Sequence, residues 1–246
     1  MPYRRLPTTD KARLRAMEAA LNIAEDRDSG KLAFSKNTLV ELKNVKLNFE
    51  NHLKHYEFDL KIESERSADY KATFDKARLY VSHFIQVLFM NIERGELKEE
   101  ALAFYGLQDT DGKIPSLNSE QEILEWGKKV IEGEQKRMQH GGSPIYNPSI
   151  ALVKVNVENF NEAAVFQHTL KRNTLRSYEK MQQVRKETND FISKLWTEIE
   201  ENVGDVPPKM KRQRAQEYGV VYVFRRNEKK KIRVEGLQVD LMFEFN

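Results

Sequence analysis

Two histidines three residues apart, His52 and His55, stand close to Glu50, Glu57 and Asp59. On a helix this spacing puts both imidazoles on one face, where they could ligate a metal ion together with a carboxylate. The Glu-x-x-His arrangement of di-iron helical bundles is missing, however. A second stretch of the chain resembles this one, and there the matching positions hold Ala163 and Phe166. A pseudo-symmetric di-metal centre would need ligands in both. The pair therefore reads as histidines at the surface or the edge of a packing seam, with a metal-dependent helical-bundle enzyme as the sharper alternative. His83 and His168 are isolated, His140 is expected in a loop, and all three read as structural.

Asp109-Thr110-Asp111-Gly112-Lys113 has the composition of the middle of a calcium-binding loop. In that register the first ligand would be Leu107 and the closing glutamate would be Asn118, with Pro115 where helix should resume. Two essential ligands are absent, so the stretch reads as a turn-rich linker.

The most suggestive chemistry is cationic. Lys209, Lys211, Arg212, Arg214, Arg225, Arg226, Lys229, Lys230, Lys231 and Arg233 crowd the segment between Asp205 and Glu235, among Tyr218, Tyr222 and Phe224. Ten cations against four acids give that segment +6, leaving −3 for the rest of a chain whose total is +3. A basic helix beside a basic β-ribbon can hold nucleic-acid phosphate. A lysine-rich hairpin turn that protects strand edges has the same composition and is the more ordinary reading. The counterpart in the first half carries Glu96, Glu99 and Glu100 instead.

There is no cysteine, which excludes disulfides, thiol nucleophiles and cysteine-ligated metals. No serine–histidine pairing, phosphate-cradling glycine loop or acid pair stands out. No residue is assigned a catalytic role, and no cofactor is implied.

The elements that hold these residues come from a duplication. Phe84-Ile85-Gln86-Val87-Leu88-Phe89-Met90-Asn91-Ile92-Glu93 returns as Phe191-Ile192-Ser193-Lys194-Leu195-Trp196-Thr197-Glu198-Ile199-Glu200. Glu93 and Glu200 recur in it as helix-end charges. Each copy starts with a shorter helix. The first is capped at Thr8 or Thr9, with Leu14, Met17, Leu21 and Ala24 at helical spacing; the second opens on a Ser119–Glu122 capping box.

A long helical region follows in each copy. The seam of the first is Leu39, Leu42, Phe49, Leu53, Tyr56 and Leu60; that of the second is Ile150, Val153, Val157, Phe160 and Ala164. Thr38 and Ser149 sit in matching capping positions. The first region has a later seam, Phe74, Ala77, Val81, Phe84, Leu88 and Ile92, in the same heptad register as the earlier one, so one helix about 85 Å long is possible. Phe49 to Phe84 spans 35 residues, whereas Phe160 to Phe191 spans 31. Loops absorb such differences most easily. A hairpin is therefore expected in each copy, turning at the polar stretches Glu63–Ser67 and Lys171–Thr174.

Each copy ends on a Tyr-Gly-apolar stop, Tyr105-Gly106-Leu107 and Tyr218-Gly219-Val220, whose aromatic should dock on the helices. Beyond it, Val221–Phe224 reads as a strand, Arg226–Lys230 as a turn, and Leu237, Val239, Leu241, Phe243 and Phe245 alternate as a second strand. A lone hairpin is marginal in water and needs support from the helices.

The opening Met1-Pro2-Tyr3-Arg4-Arg5-Leu6-Pro7-Thr8-Thr9-Asp10 resembles the start of a family of uncharacterised bacterial proteins of about this length. The resemblance covers those ten residues. It implies a bacterial origin and brings no activity with it. The two arginines have no apolar run behind them, so no secretory leader is expected and the cytoplasm is the expected location. Nowhere do 18 apolar residues follow one another, so no membrane span is expected.

The expected fold is all-α: a tandem duplication forming an antiparallel, four-helix-like bundle with a small C-terminal β-hairpin. Its parts are helical repeat 1 (1–107), a linker (108–118), helical repeat 2 (119–220) and the hairpin (221–246), in one compact unit. Phe84, Leu88, Ile92, Phe191, Leu195 and Ile199 should lie in the core. The expected function is that of a non-enzymatic scaffold or protein-interaction module that binds a protein partner or itself. Nucleic-acid binding is the alternative.

Overall fold

The computed structural model describes residues 2–26 and 32–224 of the chain. The described residues are mostly helical. Helix α1 spans Asp10–Asp26, α2 Lys36–Glu93, α3 Leu102–Tyr105, α4 Glu120–Gln139, α5 Ile150–Asn202 and α6 Pro208–Glu217. Strands β1 (Tyr3–Arg4) and β2 (Tyr222–Val223) form a small antiparallel sheet.

The two long regions are each one helix, which corrects the expected hairpins. Glu63–Ser67 and Lys171–Thr174 are polar, but they lack the glycine and proline that turn a chain. Lysine, arginine, glutamate and alanine dominate around the first of them, and all favour helix. Ion pairs one turn apart support it: Lys61–Glu65 at 3.8 Å and Arg66–Asp69 at 3.2 Å. The shared heptad register of the two seams is thus the register of one helix.

Two compact units are present, Met1–Tyr56 with Ser177–Asn246 and Glu57–Arg176. Their limits fall inside α2 and α5, not at the 108–118 linker.

In the first unit, α1 starts under Thr9, whose hydroxyl accepts from the Ala12 N–H at 3.2 Å. Its buried face is Arg13, Ala16, Met17 and Ala20. Leu14, Leu21 and Ala24 are only partly buried beside them, so the stripe is rotated from the expected one and takes in a charge. Ser35 caps α2 through the Thr38 N–H, while Thr38 itself donates to Glu198. Leu42 and Phe49 of α2 meet Met181, Phe191, Leu195, Trp196 and Ile199 of α5 in this core. Tyr218 is buried in it, and the Gly219 that follows has φ +88°. The strand expected at Val221–Phe224 is present as β2, and its partner is β1 at the other end of the chain. The remainder of the expected hairpin lies outside the described residues.

In the second unit, Ala77, Val81, Phe84 and Leu88 of α2 pack with Val153, Val157 and Phe160 of α5 and Ile123 and Val130 of α4. Ile92 is partly buried at its margin, and Leu60 is exposed rather than in the seam. The Ser119–Glu122 capping box forms at the start of α4. Tyr105 is buried, followed by Gly106 in the left-handed conformation, as the stop motif predicts. A Cβ at Gly133 would meet Tyr105 Cδ1 at 2.5 Å and the Phe104 carbonyl oxygen at 2.7 Å, so α3 sits directly on the α4 backbone there.

Candidate functional site

The polar cleft of the first unit is built from the start of α1 and the middle of α5. Thr9 fixes the first turn, and Asp10 then leads α1 one turn ahead of Arg13. Arg185 follows Val184, a buried seam residue of α5, and so emerges at the seam edge. Its Nε and Nη2 donate to the two Asp10 oxygens at 2.9 and 2.7 Å. Arg13 Nη1 donates to Asp10 Oδ1 at 3.1 Å and to the Thr8 carbonyl at 3.3 Å. Arg13 Nε donates to Asn189 Oδ1 at 3.0 Å. The Arg185 guanidinium also lies over the Tyr56 ring, 5.9 Å from its centroid.

Two guanidiniums therefore share one carboxylate. The Arg185 hydrogen bond is the main reason the Asp10 carboxyl is held below its usual pKa, and the Arg13 charge adds to it, against an opposing effect of burial. Arg13 is lowered in turn, by burial first; Asp10 opposes this and the Arg185 charge reinforces it. The cleft is open to solvent, with a volume of about 780 Å³, and Leu6, Thr8, Gln182, Lys186 and Asp190 complete its lining.

The polar cluster of the second unit is closed and self-satisfied. Glu134 is fully buried and Arg137 nearly so. Arg137 Nε and Nη2 each reach a Glu134 oxygen at 2.9 Å, Nη2 also donates to the Ser143 carbonyl at 2.6 Å, and the Ile145 N–H donates to Glu134 Oε1 at 3.0 Å. The Tyr105 hydroxyl donates to Glu134 Oε2 and accepts from Arg137 Nε. This cluster ties α3, α4 and the loop before α5 together, and every bond in it is internal. A more open group lies nearby in the same unit. Glu120 accepts from the Tyr70 hydroxyl at 3.1 Å, and His168 Nε2 is 2.9 Å from its other oxygen.

The residues singled out in the sequence are placed as follows. His52 and His55 lie on α2, one half-buried and one exposed, and no group of three or more His, Asp or Glu side chains suited to a metal occurs among the described residues. Lys209, Lys211, Arg212 and Arg214 lie on α6. Arg214 donates to the Val203 carbonyl at 3.0 Å, which satisfies the end of α5. The Arg212 charge acts on Tyr222, whose hydroxyl donates to Glu200. Arg225, Arg226, Lys229, Lys230, Lys231 and Arg233 lie outside the described residues. Glu200 also pairs with Arg4 at 3.3 Å, so this helix-end charge holds both strands of the small sheet.

The Asp10–Arg13–Arg185 cluster had only a faint signal in the sequence. Asp10 and Arg13 are one turn apart, which is visible, but Arg185 arrives from the other end of the chain. No helix among the described residues is long and apolar enough to cross a membrane. No family model, no curated protein and no solved structure matches the chain.

Proposed function

We propose that the chain is a non-enzymatic helical scaffold that docks a protein partner along the exposed face of α5 in the second unit. The observation that carries this reading is a set of three apolar side chains on one face away from the buried seam. Leu152, Val155 and Phe166 are each about half exposed, and their spacings of three and eleven residues bring them to one helix face. Single exposed apolar residues are ordinary, but here three share one face with the exposed Asn159 and Glu162 between Val155 and Phe166, the mixture of apolar and polar side chains that a protein partner covers. The closed Glu134–Arg137–Tyr105 cluster supports the same reading, since its charges position loops and leave nothing free to act on a substrate.

We further propose that the scaffold arose by tandem duplication. The repeated Phe-Ile-x-x-Leu motif falls near the C-terminal end of both α2 and α5. Both shorter helices, α1 and α4, begin under a hydroxyl cap, and both copies stop at Tyr-Gly. On this reading each compact unit combines the first half of one copy with the second half of the other.

The test is affinity capture with the full chain beside a Leu152→Glu, Phe166→Glu variant, both checked for unchanged helicity by circular dichroism. A partner held by the wild type and lost by the variant is expected. Equal capture by both would remove the α5 face from the account, and turnover dependent on a single carboxylate or histidine would end the scaffold reading.

A further inference from the structure

We propose that the cleft between α1 and α5 in the first unit binds the oxyanion group of a small molecule, a phosphate or a carboxylate, between Arg13 and Arg185. The docking reading above does not contain this site and does not depend on it.

The charges of the cleft do not close. Asp10 is paired with both guanidiniums, and the rim residues Lys186 and Asp190 carry one charge of each sign. One positive charge is left over. The donors do not close either. Three guanidinium nitrogens reach Asp10, one of them bonding the Thr8 carbonyl as well, and a fourth reaches Asn189. Arg13 Nη2 and Arg185 Nη1 donate to no protein acceptor among the described residues, and neither is among the buried polar atoms left without a partner, so both are open to the cleft that their residues line. Guanidinium donors held in place by a shared carboxylate are pre-organised for a second, external anion.

The position of Arg13 sharpens the argument. It stands four residues after the hydroxyl cap of α1, with its N–H bonded to the Thr9 carbonyl at 3.0 Å. At the same station of α4 stands Ile123, bonded to the Ser119 carbonyl at 3.1 Å and fully buried. An apolar residue therefore fills this station where packing alone decides. A buried guanidinium there carries a desolvation cost that an isoleucine avoids. The volume of about 780 Å³ falls within the range of small-molecule sites.

The experiment is isothermal titration of the full chain with inorganic phosphate and, separately, with succinate. Saturable binding of at least one probe at a single site is expected, and the stronger of the two names the source chemistry. Two variants locate the site without opening the core. Asn189→Asp keeps the oxygen that accepts from Arg13 Nε and adds the missing negative charge. It should leave the melting temperature unchanged or higher and weaken the anion by about tenfold or more. Lys209→Ala with Lys211→Ala removes two α6 cations elsewhere in the same unit and should leave the affinity unchanged. No saturation by either probe up to about 20 mM, an affinity indifferent to Asn189→Asp, or an affinity lost with the α6 lysines would each overturn the proposal.

Discussion

Glu134 has lost its water entirely, and each of its oxygens is met by donors: the Arg137 guanidinium on both, the Tyr105 hydroxyl on one and the Ile145 N–H on the other. Burial pushes its carboxyl pKa up, but the hydrogen bonds from Arg137, Tyr105 and Ile145 together pull it further down, to a net position below the usual 4.5. The folded state therefore binds this proton less readily than the unfolded chain. Its contribution to stability is present in full above the unfolded value and is lost as pH falls through the lower folded value. Glu134→Gln removes the charge while Arg137 stays buried, at a cost of about 3–5 kcal/mol. Tyr105→Phe leaves the ion pair intact and should cost about 1 kcal/mol. Urea unfolding at pH 7 checks both magnitudes, and repeating it at pH 4 checks the sign, since the gap between wild type and Glu134→Gln should narrow in acid. Equal costs for the two substitutions would mean that the ion pair is not what holds the loop before α5.

At the scale of elements, the sequence was legible wherever local chemistry decides. The Ser119–Glu122 box, the Tyr-Gly stops and the seam through Phe84, Leu88, Phe191, Leu195 and Ile199 follow from hydrogen-bond chemistry and from periodicity, and the structure contains them. Ile92 and Leu60 sit further out than the seam implies, because periodicity assigns a face and cannot say where the neighbouring helix ends. The continuity of α2 and α5 is hidden in the sequence for a related reason. Polarity marks solvent exposure, and a long helix can be exposed all round without turning. Glu65 tests the point, since it lies within the polar stretch once expected to turn and pairs with Lys61 one turn before it. In a loop, Glu65→Pro would be nearly silent. In the interior of α2 it removes a helix hydrogen bond and clashes with the preceding turn, so a loss of about 3 kcal/mol or more is expected, with reduced ellipticity at the helix band. The cleft was the least legible feature. Arg13 breaks the apolar stripe of α1, but nothing local says that Arg185 and Asn189 will meet it from across the chain.

At the scale of the whole molecule, α2 and α5 each supply residues to two separate cores. Leu42 and Phe49 belong to one, while Phe84 and Leu88, further along the same helix, belong to the other. Trp196 and Met181 of α5 lie in the first, Val153 and Phe160 in the second. A helix is cooperative along its length, because each residue added to an existing turn gains a bond that a new nucleus would lack. Melting one core should therefore fray the helices that build the other. The chain carries two tryptophans, and they report separately: Trp196 is buried in the first core and Trp126 packs at the margin of the second. In Trp126→Phe and Trp196→Phe backgrounds, the remaining fluorophore follows one core at a time. Glu134→Gln weakens only the second core directly. Cooperative helices predict that it shifts the Trp196 transition as well as the Trp126 one, to coincident midpoints in urea. Midpoints that separate, with Trp196 unmoved, would show the two cores unfolding as independent domains.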